Sequence, residues 1–445
     1  MADSLEPVRP DERIQSLDVL RGFSLLGILL LNICSFGLPF AAYMNPQAAG
    51  GATGINLATW LTAMTLWDGK MRCIFSMLFG TSAIILLERA ERRGAGIQAA
   101  DIYYRRTMWL ILLGLLHAHF IWAGDILYPY GVIGLLLFPL RKLSARALII
   151  TGAVIIAVHS LQNAGAAFGI QEMSDKAAVA AKKEAAGAKL TKDEQKVTQE
   201  WKQLAEMFTP APAEIAEEIK THRGGWLGNL VRRSGEAAMF EFTMFFQFLF
   251  LDVLGMLVMG MGLAKAHVFD ASRSIGFYLK LVAAGLLLGV PLNYWAASRW
   301  AASGFKIPEY FAYVGTTTDP GRWLVAAAYV GFIMIACQLD WQWLTQPLAS
   351  VGRMALSNYL LTSILCTLFF NGYGLGMFAR LQRAELYLVV LAMWIFNIVG
   401  STLWLRHYRY GPAEWAWRSL TYWQRQPMRK HAPVVVSEAS VAGLA

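Results

Sequence analysis

Apolar residues dominate this chain in long runs that carry few charges, separated by short polar stretches. A bilayer crossing needs roughly 20 mainly apolar residues, and runs of that kind recur along nearly the whole length. Spans are predicted near 17–36, 71–88, 107–123, 126–140 and 147–165, and again near 240–263, 276–296, 322–339, 354–370 and 386–405. The pattern therefore predicts an all-α, polytopic membrane bundle of about ten transmembrane helices. A shorter run, INLATWLTAMTLW, cannot cross alone and is expected to lie at the interface or lead into the second span.

One segment breaks the pattern. Gln171 to Gly235 is rich in Ala, Lys and Glu and has the composition of a water-exposed helix. TPAPAEIAEEIK then supplies a break and a fresh helix start, with Pro212 early and acids in the first turn. This predicts four parts: a five-helix membrane half over 1–165, an extracytoplasmic helical cap over 166–238, a second five-helix half over 239–410, and a tail over 411–445.

Composition agrees with the pattern: 56% of the 445 residues are hydrophobic and only 16% charged. The net charge of +9 does not point to nucleic acid, because the basic residues gather at the ends of apolar runs. Arg9, Arg13, Arg89, Arg92, Arg93, Arg105, Arg106, Arg141, Lys142, Lys265 and Arg273 fall in loops on one side, while the alternate short loops are poor in Lys and Arg. That bias predicts a multi-pass protein of a bacterial inner membrane with both termini cytoplasmic, and the bilayer as its first partner. The lysines of the cap do not oppose this, since long loops cross largely regardless of charge. Cys34, Cys73, Cys337 and Cys366 are far apart, which suggests neither a disulfide framework nor a metal site.

Ionisable groups inside apolar runs carry the functional signal, because each costs about 2.5–3.5 kcal/mol to insert and normally faces protein or water. Asp252 sits near the centre of its predicted span, with a hydrogen bond to a neighbouring helix as the structural alternative to a substrate-binding role. Asp18 and Arg21 lie one turn apart, and Asn32 returns to within about 40° of Asp18 around an ideal helix, roughly 21 Å along it. An interfacial anchor plus a helix-end amide would explain this stripe equally well. Asp68 and Arg72 read as a similar pair at the outer mouth of the second span. Glu241, Asn293, Asn358 with Tyr359, and Asn397 add polar groups to later spans, and Gly289-Val-Pro291 should kink one of them.

His117 and His119 cannot hold one metal ion from a regular helix, since positions two apart diverge by about 200°; no metal is expected. His117 is placed to meet Asp125 in HAHFIWAGDILYPYG, with simple packing as the alternative. Asp125 is expected in a short outer turn at the water boundary. The two residues would make a base and its orienting acid, and both the enzyme and transporter readings require the ionisable groups to converge on one chamber.

RIQSLDVLRGFSLLGILLLNI, FSMLFG, GLLHAHFIWAGDIL, LDVLGMLVMGMGLAK, VGRMALSNYLLTSIL and RYGPAEWAWRSLTY resemble the bacterial YeiB-like family, a membrane family without an assigned function (domain of unknown function 418). That family is in turn distantly similar to transmembrane acyltransferases of the heparan-alpha-glucosaminide N-acetyltransferase type, which take an acyl group from cytoplasmic acetyl-CoA and pass it across the membrane. The positions that match the enzyme's pattern are Asp18, Arg21 and Asn32; the residues themselves add His117 and Asp125 as the expected catalytic pair beside Asn32, with Asp18, Arg21, Asp68, Arg72, Arg106, Tyr130, Asp252 and Asn358 expected to bind substrate. Arg21 and Arg106 would lie near the phosphates of acetyl-CoA or another acyl-CoA. The acceptor would be a small molecule, lipid or glycan. Where the enzyme carries a histidine in its first outer loop, Tyr43 stands here. A transporter or exporter, and a non-enzymatic accessory protein, are the alternative readings.

Overall fold

The computed structural model describes residues 13–430 except residue 95; Arg9 and the last fifteen residues of the predicted tail lie outside them. Among the described residues the chain is helical throughout, with a single isolated β-bridge between Tyr408 and Arg429. In order, α1 is Gln15–Gly37, α2 Ala41–Met44, α3 Gly54–Thr62, α4 Lys70–Arg92, α5 Ile97–Phe120, α6 Leu127–Gly134, α7 Ala145–Ala185, α8 Lys192–Phe208, α9 Pro212–His222 and α10 Trp226–Met239. Then follow α11 Phe250–Lys265, α12 Ile275–Ala284, α13 Val290–Ala302, α14 Ile307–Glu309, α15 Thr316–Gln338, α16 Gln342–Arg353, α17 Ala355–Phe370, α18 Leu386–His407 and α19 Pro412–Tyr422.

Seven of the continuous helical stretches are long and apolar enough to cross a membrane, or eight if α16 and α17, bent by 81° at Met354, make one broken span. The expected ten is not reached by that measure. The difference lies in α5, which opens with Asp101, Arg105 and Arg106, and in α6, which has only eight residues. These two nevertheless pack closely as a hairpin, Gly114 against Tyr128 and Gly131 against Ile111. The run before α4 continues through a π-helical turn, Ala63–Trp67, into that span, as the sequence suggests.

Exposed apolar side chains mark the surface that meets lipid. Ile150, Val154, Val158 and Leu161 follow each other at helical spacing on α7, and Leu388, Leu391, Ile395 and Val399 do so on α18. In water such stripes would be a liability; in hydrocarbon they cost nothing. Between helices the contacts are made by small residues. A Cβ on Gly22 would fall 1.9 Å from Leu348 O, and one on Gly80 would fall 1.9 Å from Leu257 O, so α1 meets α16 and α4 meets α11 backbone to backbone.

The cap is continuous with the membrane helices at both ends. Helix α7 runs unbroken from the bundle into it, and α10 passes through a π-helical stretch, Phe240–Leu249, into α11. Thr191 and Glu194 form a reciprocal capping box that starts α8. The cap is fastened over the loop after α17: the His222 ring stacks on Phe378 at 3.6 Å, Gly372 N donates to His222 O, and Arg223 Nε donates to Phe378 O.

Candidate functional site

Helix α5 ends at Phe120 and the chain turns back through Ile121–Ile126 into α6. This reversal sets Asp125 under the last turn of α5, where its Oδ1 meets His117 Nδ1 at 2.8 Å. Asp125 does not lie at a water boundary: it is 2% exposed. Its charge is tolerated because it is bonded on both oxygens, to Tyr128 N at 2.8 Å and to the Tyr359 hydroxyl at 3.2 Å besides the imidazole. The His117 side chain is wholly buried, and its Nε2 has no hydrogen-bond partner among the described residues. A carboxylate on one ring nitrogen fixes the tautomer that leaves the other with a free lone pair. That is the preparation a general base needs. His119, facing elsewhere, meets Glu241 at 3.3 Å.

Tyr359 also forms part of the wall of a cavity of about 270 Å³ between α1, α4, α5, α6, the α16–α17 bend and α19. Its other end is basic. Arg13, Arg21, Arg89, Arg106, Arg353 and Arg418 line it, against the carboxylates of Asp18 and Glu414. Asp18 is bonded to Arg13 at 2.9 Å and to Arg21 at 2.8 Å, and Arg21 reaches Ser82 as well. Arg106 lies over the Trp417 ring at 3.9 Å and Arg418 over Tyr410 at 4.5 Å, each held by an aromatic face rather than a carboxylate. Glu414 accepts from Leu356 N and Ser357 N and so closes the start of α17. Burial holds its carboxyl above the usual range. Tyr130, at the inner end, shares a 2.7 Å hydrogen bond with Ser76.

The residues of a second polar cluster are not part of the lining of this cavity. Asp252 accepts from Arg72 at 2.6 Å and from both terminal nitrogens of Arg322, which also donates to Asp319 at 2.6 Å. Asp319 is further bonded to His159 at 2.8 Å and Ser160 at 2.6 Å. His159, Asp252 and Asp319 bring ligand atoms within 4.8 Å of one another, but the Arg322 guanidinium bridges the two carboxylates. It supplies the positive charge that the cluster is built around.

The expected residues are thus distributed over several places. Asp18, Arg21, Arg106 and Tyr130 line the cavity, and His117 with Asp125 adjoins it through Tyr359. Arg72 turns to Asp252 rather than to Asp68, correcting the pair read from their spacing. Asp68 borders a separate niche, just large enough for one water, with Lys70, Asn293 and Thr317. Asn358 ties α17 to Val351 O and to Ser401 on α18, a helix-to-helix contact. Asn32 continues the α1 stripe one turn beyond Ile28, which lines the cavity, but its own side chain makes no hydrogen bond among the described residues. A single shared chamber for Asp252, His117 and Asn32 is therefore not what the chain builds.

Sequence reasoning gave no place to Arg353, Glu414, Arg418, Asp319, Arg322 and His159. The last three announce themselves only as polar groups in or beside apolar runs; Arg353 and Glu414 sit at helix ends, where basic residues and acids are ordinary, and Arg418 falls within a short amphipathic helix. Tyr359 stood beside Asn358 in the pattern, and nothing short of the fold distinguishes the two.

The family described as "Protein of unknown function (DUF418)" matches residues 263–424. The chain is 32% identical over 425 residues to "Uncharacterized protein YeiB" of Escherichia coli (strain K12), covering 92% of this chain and 96% of that one. It is 28% identical over 442 residues to "Uncharacterized protein YxaH" of Bacillus subtilis (strain 168), covering 97% and 100%. A similar match, 26% identical over 425 residues, is to an "Uncharacterized 39.9 kDa protein in amylase 3'region" of Bacillus acidopullulyticus. Identity at this level across nearly the full length of both chains, together with the helical membrane bundle, makes this protein a member of the YeiB-like DUF418 family.

Proposed function

We propose that this protein is a membrane-embedded acyltransferase that moves an acyl group from an acyl-CoA on the cytoplasmic side to an acceptor hydroxyl or amine on the far side, beneath the cap. One observation carries the reading: a basic-mouthed cavity runs inward to Tyr359, and behind Tyr359 stands a buried His–Asp pair whose outer nitrogen is unpartnered. Six arginines against two carboxylates suit a ligand bearing several phosphates.

In this reading Arg21, Arg106 and Arg418 hold the phosphates. His117 Nε2 takes the proton from the acceptor as its oxygen or nitrogen bonds to the thioester carbon. The C–S bond then breaks, and the imidazolium returns that proton to the departing sulfur. Asp125 stabilises the transient imidazolium, and Tyr359 and the Tyr128 N–H keep the carboxylate aligned. Tyr43, in the first outer loop, plays no part.

The test is ligand-dependent stability of the purified protein with CoA and acetyl-CoA. At a concentration one hundred times Kd, a ligand that binds only the folded state adds about 2.7 kcal/mol, and Arg106→Ala together with Arg418→Ala should abolish the gain. Absence of any stabilisation at millimolar CoA would end the proposal. A carrier is the second reading, favoured by the buried Asp252–Arg322–Asp319–His159 cluster beside Pro320 inside α15; it requires that cluster to exchange partners during turnover.

A further inference from the structure

One wall of the cavity has a character that phosphate binding does not require. Phe75, Phe79, Ala83 and Leu86, spaced by four, four and three residues, put one stripe of α4 along its wall, with Leu110 and Leu356 elsewhere in the lining. The hydroxyls nearby already have partners: Tyr130 with Ser76, Thr107 with Tyr103 O, Tyr359 with Asp125. A ligand segment rich in amides or hydroxyls would find few free groups there, whereas methylenes would find an apolar surface along its length.

We infer that the cavity takes an amphiphile, with a phosphate-bearing head among the arginines and an alkyl chain of several methylenes along the α4 stripe. Two sources share this chemistry, an acyl-CoA with a chain longer than acetyl and an anionic phospholipid. As a statement about the donor the inference rests on the acyltransferase reading; as a statement about the cavity it does not.

The full-length protein in nanodiscs of zwitterionic lipid is titrated with CoA, acetyl-CoA, hexanoyl-CoA and octanoyl-CoA, each below its micellar concentration, and separately with phosphatidylglycerol. Each buried methylene is worth about fourfold in affinity, so octanoyl-CoA should bind roughly fifteenfold more tightly than hexanoyl-CoA. Ala83→Leu, which fills the stripe, should flatten that dependence, so that hexanoyl-CoA and octanoyl-CoA bind the variant alike. A variant that loses its fold is recognised by the loss of a cooperative melting transition without ligand, and Phe79→Ala then serves as the second probe, with a lower gain per methylene. Tight binding of phosphatidylglycerol, weakened by Ala83→Leu, with no binding of any CoA species supports the amphiphile cavity and refutes the acyl-CoA donor. Equal affinities for acetyl-, hexanoyl- and octanoyl-CoA overturn the inference and leave the donor reading standing. No binding by either class, or a chain-length dependence that survives both substitutions, also overturns it.

Discussion

Replacing Asp252 with Asn tests whether the second polar cluster holds the bundle together. The carboxylate takes three hydrogen bonds from two guanidiniums, and both it and Arg322 are almost completely buried. The two arginines and two aspartates of the cluster balance in charge; Asp252→Asn leaves one of the positive charges uncompensated and turns an amide N–H₂ toward a guanidinium donor. Arg322 keeps Asp319 and cannot reach water, whereas Arg72, whose side chain is 30% exposed, loses its carboxylate and can turn outward. Breaking one side of a buried pair costs about 3–5 kcal/mol. At roughly 2.1 cal/mol/K per residue, the whole chain would unfold with about 0.9 kcal/mol/K, so the apparent Tm should fall by about 3–5 °C. A membrane protein that keeps its helices on denaturation unfolds with less entropy, and the fall is then larger. The assay is intrinsic tryptophan fluorescence on heating in detergent, with Arg322→Met and the double variant completing a cycle. The double variant should lose less than the sum of the singles by about 0.5–3 kcal/mol. An Asp252→Asn protein melting within 1 °C of the wild type, or strict additivity in the cycle, would refute the structural reading and strengthen the carrier.

Three further outcomes are expected. On the proposed acyltransferase reading, Asp125→Asn and His117→Gln should each reduce acyl transfer by about 10²–10⁴-fold while CoA still stabilises the protein; a loss of CoA binding equal to the loss of rate would place these residues in the fold instead. Burial, and secondarily the neighbouring Arg232, push the His222 imidazole down to about 3, so the released cap binds one more proton than the docked one between pH 6.5 and 3. Docking is therefore at full strength above pH 6.5 and weakens by about 1.4 kcal/mol per unit as the pH falls toward 3. Hydrogen exchange at 371–378 should rise accordingly, and His222→Gln should remove the dependence. Gly80→Ala sets a Cβ against Leu257 O and should cost about 1–3 kcal/mol, read as a lower apparent Tm; an unchanged melting curve would mean that α4 and α11 do not meet as described.

The apolar runs alone determine that this chain is a helical membrane protein, because the cost of exposing backbone polar groups to hydrocarbon leaves no other solution for runs of that length. They also mark Asp18 with Arg21, and His117 with Asp125, since partners within a few residues or across one tight turn are set by local geometry. Only the tertiary structure decides the rest. Arg72 meets a carboxylate 180 residues away, and Asp125 is buried rather than wet because Tyr359, 234 residues on, closes over it. The cavity itself gathers Arg21, Arg106, Arg353 and Arg418 from four helices. The energy of such contacts depends on which helices pack side by side, and that is settled by how small residues such as Gly22 and Gly80 let backbones approach, a property of pairs of segments that no single stretch of sequence carries.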